Sequence, residues 1–246
     1  MNLCELLVNF VISLIASLVG VWLALRLEGM KRPNLKITKC EPDPQQLLRN
    51  PNLTRLHVHV ENLALPNLLT QFWNRETAVG CRAWITFYKD DKSPFKLKIL
   101  ARWKEAEVPQ IPEFWIKEKR LPKGLQETID IQPTDSERSG EKLDIAVKFK
   151  KREDARYIEE EECYAWNNEN YLYEGDENVM HRHPDHKLEA GVYYVRVVVV
   201  SGGRQFKELF KLHNETGKKF ELQTIDNEQE KDELMKLLER AIAKPS

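Results

Sequence analysis

Three imidazoles and a carboxylate fall within six residues, at His181, His183, Asp185 and His186 of the run H-R-H-P-D-H. Imidazole nitrogens and carboxylate oxygens are the donors that zinc takes, and three of them leave a position open for water. A transition metal held there would make a metal-dependent enzyme one reading, although a bound metal need not be catalytic. The spacing is not a usual zinc pattern, and Pro184 places the run in a loop, so a solvated loop with incidental histidines is the competing expectation. His57 and His59 share one face of a strand and add ligands only if that face lies near the loop.

A second constellation offers recognition instead of catalysis. Between 153 and 177, four consecutive acids (Glu159–Glu162) precede Tyr164, Trp166, Tyr171 and Tyr173. Exposed, these aromatics would supply contact area for a basic protein partner while the acids steer its approach. The competing reading is a solvated hairpin whose aromatics cover a sheet edge. Phe114 and Trp115, between Pro109, Pro112 and Pro122, form another candidate contact surface. Asn168, Asp176 and Glu177 do not match a calcium-loop spacing. The chain has no G-x-S-x-G elbow, phosphate-binding glycine loop or H-E-x-x-H helix, so catalytic activity is left open, no catalytic residue is assigned, and no cofactor is expected beyond a metal.

These residues must be positioned by a chain of sharply uneven polarity. Lysine plus arginine number 38 against 39 acids, which gives no basic field for nucleic acid. Yet residues 6–25 carry no charge at all. Twenty such residues make a helix about 30 Å long, the thickness of a hydrocarbon core. The five residues before it lack the cations of a signal peptide, and the apolar run exceeds a usual h-region, so an uncleaved anchor is predicted. Arg26, Lys31, Arg32, Lys36 and Lys39 follow the helix and Glu5 precedes it. The positive-inside rule then puts the rest of the chain in the cytoplasm, at the cell membrane. Ser13, Ala16, Ser17, Gly20 and Ala24 form a small-residue face that would let two helices approach closely, as a homodimer or with another membrane protein.

Beyond Pro33 the apolar pattern changes to period two, the mark of strands. Leu56, Val58 and Val60 alternate with His57, His59 and Glu61. Cys81, Ala83, Ile85 and Phe87 form one face, as do Phe95, Leu97, Ile99, Ala101 and Trp103. Leu125, Ile129 and Ile131 suggest a weaker strand. Leu143, Ile145, Val147 and Phe149 alternate with Asp144 and Lys148. Val197 to Val200 are apolar on both faces, which predicts a central strand, and Gly202-Gly203 predicts a hairpin turn into 204–213.

The segment Leu188-Glu189-Ala190-Gly191-Val192-Tyr193 resembles the turn and tyrosine corner that enter the penultimate strand of immunoglobulin-like domains. That resemblance implies a two-sheet antiparallel sandwich, a Tyr193 hydroxyl bonded back to the upstream backbone, and 204–213 as the last strand. The cysteine pattern of antibody domains is not met, since no cysteine follows Tyr193. The fold implies no chemistry by itself. The expected organisation is an anchor and basic juxtamembrane segment over 1–32, an immunoglobulin-like sandwich over 33–222 with insertions at 104–124 and 151–187, and a C-terminal helix over 223–246. Two small β domains are the alternative.

In that last helix Asp226 is placed as the cap with Gln229 three residues on, and Leu234 and Leu238 lie on an apolar stripe. The stripe packs on the sandwich or docks a partner. The function expected is a membrane-anchored interaction or adaptor module, with a lipid bilayer and a protein as partners. The alternatives are a metal-dependent enzyme using His181–His186 and an exported envelope or adhesion domain. Export would bring disulfides between Cys163 and Cys81 or Cys40, or glycans at Asn52 and Asn214.

Overall fold

The computed structural model describes residues 3–40, 53–70, 73–89, 96–104, 128–134, 140–149, 161–172, 183–216 and 219–243. Helix α1 spans Leu3–Lys31. Asn9–Lys31 is long and apolar enough to cross a membrane, with a mean hydropathy of 2.2 over an 18-residue window. None of that stretch is buried by the rest of the chain, and Phe10, Ile12, Leu18, Val21 and Trp22 all stand exposed.

The chain then builds two sheets. The first joins β1 (Leu35–Lys39), β2 (Leu53–Leu63), β7 (Glu141–Phe149), β8 (Glu162–Ala165) and β9 (Lys187–Leu188) in that order, and β6 (Pro133–Thr134) lies parallel against the end of β2. The second joins β12 (Glu221–Thr224), β11 (Arg204–Asn214), β10 (Gly191–Ser201), β3 (Ala78–Lys89) and β4 (Lys96–Leu100), with β5 (Ile129–Ile131) also against β3. Apart from β6, the pairings are antiparallel. Val58, Val60, Leu143 and Ile145 of the first sheet meet Ile85, Phe87, Val195, Val197 and Phe210 of the second in one continuous core. The fold is therefore a mainly β, two-sheet antiparallel sandwich with a helix at each end.

β10 lies between β3 and β11, the central place its run of valines predicts. At its end Gly202 and Gly203 take φ of +55° and +76°. A two-residue hairpin with both central residues in this region matches the twist of its strands, and only glycine adopts it without strain. The Tyr193 hydroxyl donates to the Glu189 carbonyl at 2.9 Å, across the turn that starts β10.

Two features escape an alternation reading. After Ala101, whose amide still bonds β3 at Ala83, the chain steps to the other sheet: the Asp144 amide donates to Arg102 O and the Lys104 amide to Lys142 O. Trp103, 1% exposed, fills the step. In β7 a bulge leaves Ile145 between the pairs His57↔Asp144 and Leu56↔Ala146. The extra residue reverses the faces beyond it. Val147 and Phe149 thus leave the central core expected for them and join Leu53, Tyr164 and Trp166 in a second cluster on the outer side of the first sheet.

Helix α2 (Glu228–Ala243) lies on the outer side of the second sheet, where Leu234 and Leu238 cluster with Tyr88 and Leu209. Glu239 reaches Arg196 at 2.9 Å and Lys207 at 2.7 Å. Its cap is Asn227, whose side-chain oxygen accepts from the amides of Gln229 and Glu230, while Asp226 accepts from the Thr224 hydroxyl. The expected Asp226 cap is thus one residue early.

Removing one buried hydroxyl bond should cost about 1 kcal/mol, and truncating a large buried aromatic about 3–5 kcal/mol. Urea unfolding of Tyr193→Phe and Trp103→Ala should show those losses in that order. Equal, negligible effects would contradict the places given to both residues.

Candidate functional site

The histidine run folds by local hydrogen bonding. Residues Asn168–Leu172 form a 3₁₀ turn, organised by asparagine side chains that replace backbone partners. Asn167 Oδ1 accepts the Glu169 amide at 3.0 Å, and Asn170 Oδ1 accepts the Asn167 amide at 3.0 Å. A second turn, Pro184–His186, is capped by His183, whose Nδ1 accepts the Asp185 amide at 3.2 Å. Together the turns bring Glu169, His183 and His186 within 4.8 Å of one another, a set that could hold a metal ion.

The protonation pattern follows from these bonds. Asn170 Oδ1 already accepts an amide, which fixes the direction of its side chain, so His186 Nδ1 donates to it at 3.2 Å. His186 Nε2 faces Glu169 Oε2 at 3.3 Å. An imidazolium satisfies both acceptors, and so does a cation between Nε2 and the carboxylate. The His186 contact holds the Glu169 carboxyl below its usual range, against an opposing effect of burial. The His183 ring stacks on His186 at 4.0 Å and 14°. Nearly parallel rings send their lone pairs along parallel planes, so one ion could take both only after His183 turned and released the Asp185 amide. Of the residues predicted as ligands, His183 and His186 meet, the exposed Asp185 carboxylate is absent from the cluster, and His181 lies outside the described residues. Glu169 was not anticipated; the Asn-Asn-Glu-Asn run signals a turn, and only the fold brings that turn to the histidines.

His57 and His59 do not join this cluster. His57 Nδ1 lies 2.8 Å from Asp144 Oδ1, and Arg102 donates to Asp144 Oδ2 at 2.9 Å, with all three side chains at most 4% exposed. The His57–Asp144 contact is short but falls outside hydrogen-bond alignment, and His57 Nε2 has no hydrogen-bond partner among the described residues. His59 sits between Glu61 Oε1 at 3.0 Å and the Gly140 carbonyl at 2.7 Å. Gly140 is required there, because a Cβ would come within 2.5 Å of Val60 O. Burial works to raise the Asp144 carboxyl, but His57 and Arg102 outweigh it and hold it low.

The aromatic anchors expected on a surface are interior. Tyr164 and Trp166 are 5% and 1% exposed, because β8 pairs with β7 and carries them into the outer cluster. Leu234 and Leu238 are likewise covered by the domain's own sheet, at 9% and 6% exposure. Phe114, Trp115 and the Tyr171 side chain lie outside the described residues. On α1 the face of Ser13, Ala16, Ser17, Gly20 and Ala24 is exposed, and the Ser17 hydroxyl donates to Ser13 O at 2.8 Å. Cys81 and Cys163 are free thiols, and burial pushes both up, away from nucleophilic use. Asn214 is 4% exposed and donates to the carbonyls of Leu188 and Glu189, so its amide is not open to glycan attachment in the fold.

A third region draws the end of α1 onto the sandwich. The Glu76 amide donates to Lys31 O at 2.7 Å, Arg75 to Arg32 O at 2.8 Å, and Arg204 to Pro33 O at 2.9 Å. Burial, with the Arg204 charge, lowers the Arg75 guanidinium from its usual value.

Asp144→Asn should cost about 3–5 kcal/mol, because Arg102 is left buried without its counter-charge. The folded carboxyl is held below its unfolded value of about 4, so its contribution is present above that pH and fades as pH falls through the folded value. The variant should therefore lose stability at neutral pH and show a flatter acid limb in a pH series of denaturant midpoints. An unchanged acid limb would contradict this role. No protein-family model matches the chain, and neither curated proteins nor solved structures give a match.

Proposed function

We propose that this chain is a single-pass, membrane-anchored interaction module whose immunoglobulin-like sandwich stands in the cytoplasm. The observation that carries the reading is the junction: an apolar, uncovered helix ends in three carbonyls bonded by Glu76, Arg75 and Arg204. A domain held in this way stands at a fixed attitude to the bilayer. It concentrates its binding surface where membrane partners diffuse, so each encounter gains from a raised effective concentration.

The basic residues that follow α1 favour the cytoplasmic side. The free Cys81 and Cys163 thiols and the buried, bonded Asn214 suit a reducing compartment without glycosylation. The immunoglobulin-like part of the reading rests on three points. β2 lies beside β7 in one sheet, β3, β10 and β11 run together in the other, and the Tyr193 hydroxyl closes on Glu189. The sequence departs from that plan where β8, which follows β7 in the chain, pairs with its outer edge.

The meeting of Glu169, His183 and His186 favours a second reading, a metal site in the histidine loop. Calorimetric titration with zinc separates the two. Stoichiometric uptake that disappears in His186→Ala supports a metal site, and no uptake by the native protein removes it.

Topology is tested by labelling Cys81 and Cys163 in intact and permeabilised cells under denaturing exposure, with and without reductant. Labelling that requires permeabilisation and no reductant is expected. Labelling in intact cells would reverse the orientation and move export and adhesion to first place.

A further inference from the structure

Resting on the anchored reading, we infer that the helix-proximal end of the sandwich is itself a binding surface for anionic phospholipid headgroups, built by Arg75, Arg82 and Arg204 with the cations at the end of α1. Arg75, in the loop before β3, and Arg204, the first residue of β11, lie far apart in sequence and converge on the connection that follows the helix. Arg82 is exposed on β3, opposite Val200 and one step from the Gly202-Gly203 hairpin. At the same end Val79 is 62% exposed, tied to the hairpin by a bond from the Ser201 hydroxyl to its carbonyl.

Lys89, Lys148, Lys187, Lys207 and Lys231 all pair with carboxylates. Among the described residues, no carboxylate forms an ion pair with Arg26, Lys31, Arg32, Arg75, Arg82 or Arg204. Among the described residues, the acids adjacent to these cations in sequence or in the Gly80 turn are Glu28, Glu76 and Asp130, whose Oδ1 accepts the Gly80 amide.

Position supplies the partner. Lys31 lies six residues beyond Leu25, the last of the uncharged run, which is about 9 Å along the helix axis. The polar layer on each side of a bilayer is about 5–8 Å thick. The carbonyls of Lys31, Arg32 and Pro33, and the guanidinium groups bonded to them, therefore sit at the outer edge of the headgroup layer. A guanidinium keeps further N–H groups for a phosphate or carboxylate after one bond to a carbonyl. Each cation near an anionic surface favours contact by about fivefold.

The test uses the full chain with a fluorophore at Val79→Cys, in a Cys4→Ser and Cys40→Ser background. It is reconstituted into vesicles of phosphatidylcholine alone or with phosphatidylserine, each containing a headgroup-attached quencher. Quenching should be stronger with phosphatidylserine, and the difference should collapse at high salt. Arg75→Gln, Arg82→Gln and Arg204→Gln together should reduce the docked-to-undocked ratio roughly a hundredfold. Arg82→Gln alone should reduce it about fivefold without disturbing the junction. Equal quenching in both lipids, or undiminished quenching in Arg82→Gln, overturns the inference. Flotation keeps the two readings apart: a protein that floats with both vesicles but is unquenched loses only the headgroup contact, whereas one that floats with neither loses the anchor as well.

Discussion

A helix that ends at an interface leaves its last carbonyl groups without amide partners. In this chain the sandwich provides donors where α1 gives way to the first strand. The Glu76 amide takes the carbonyl of Lys31, and Arg75 and Arg204 take those of Arg32 and Pro33. One set of bonds thereby terminates the helix, starts β1 and orients the domain. A free linker would leave the sandwich rotating about its tether. Here the loop before β3 and the hairpin after β10, both set by the second sheet, fix the exit direction of the helix.

The sandwich keeps those loops in place through two kinds of burial. Between the sheets the core is apolar, and Trp103 closes the point where the chain crosses from β3 to the edge of β7. On the outer side of the first sheet burial includes charge. Asp144 is held by His57 and Arg102, and His59 by Glu61 and Gly140. Such groups are costly to desolvate and more costly to separate, so they tie β2, β7 and the crossing segment to one register. The histidine loop is a satellite of this arrangement, closed on itself by Asn167, Asn170 and Glu169.

Much of the architecture was legible because it follows from period and turn chemistry. The uncharged helix, the valine-rich central strand, the glycine hairpin, the Tyr193–Glu189 bond and the C-terminal helix each have a local cause in sequence. Three things were not legible for equally physical reasons. The bulge at Ile145 reverses which residues of β7 face the core, and no local residue type announces it. The acidic-aromatic stretch contributes β8 by pairing with a distant strand, so Tyr164 and Trp166, which read as surface anchors, are interior. The junction depends on Arg75 and Arg204, 129 positions apart in sequence, which nothing local distinguishes from other arginines. Of the candidate metal site, the two histidines were visible and the glutamate was not.

The fixed junction is most directly tested by residue-resolved hydrogen exchange of the full chain in lipid nanodiscs, read at the Glu76 amide. That amide has the carbonyl of a helix end as its partner and belongs to no strand. Protection approaching that of the β3–β10 ladder is the result this account predicts. Exchange at the rate of an open loop, with the ladder still protected, would mean that the sandwich hangs freely from its helix and that the account is wrong at its centre.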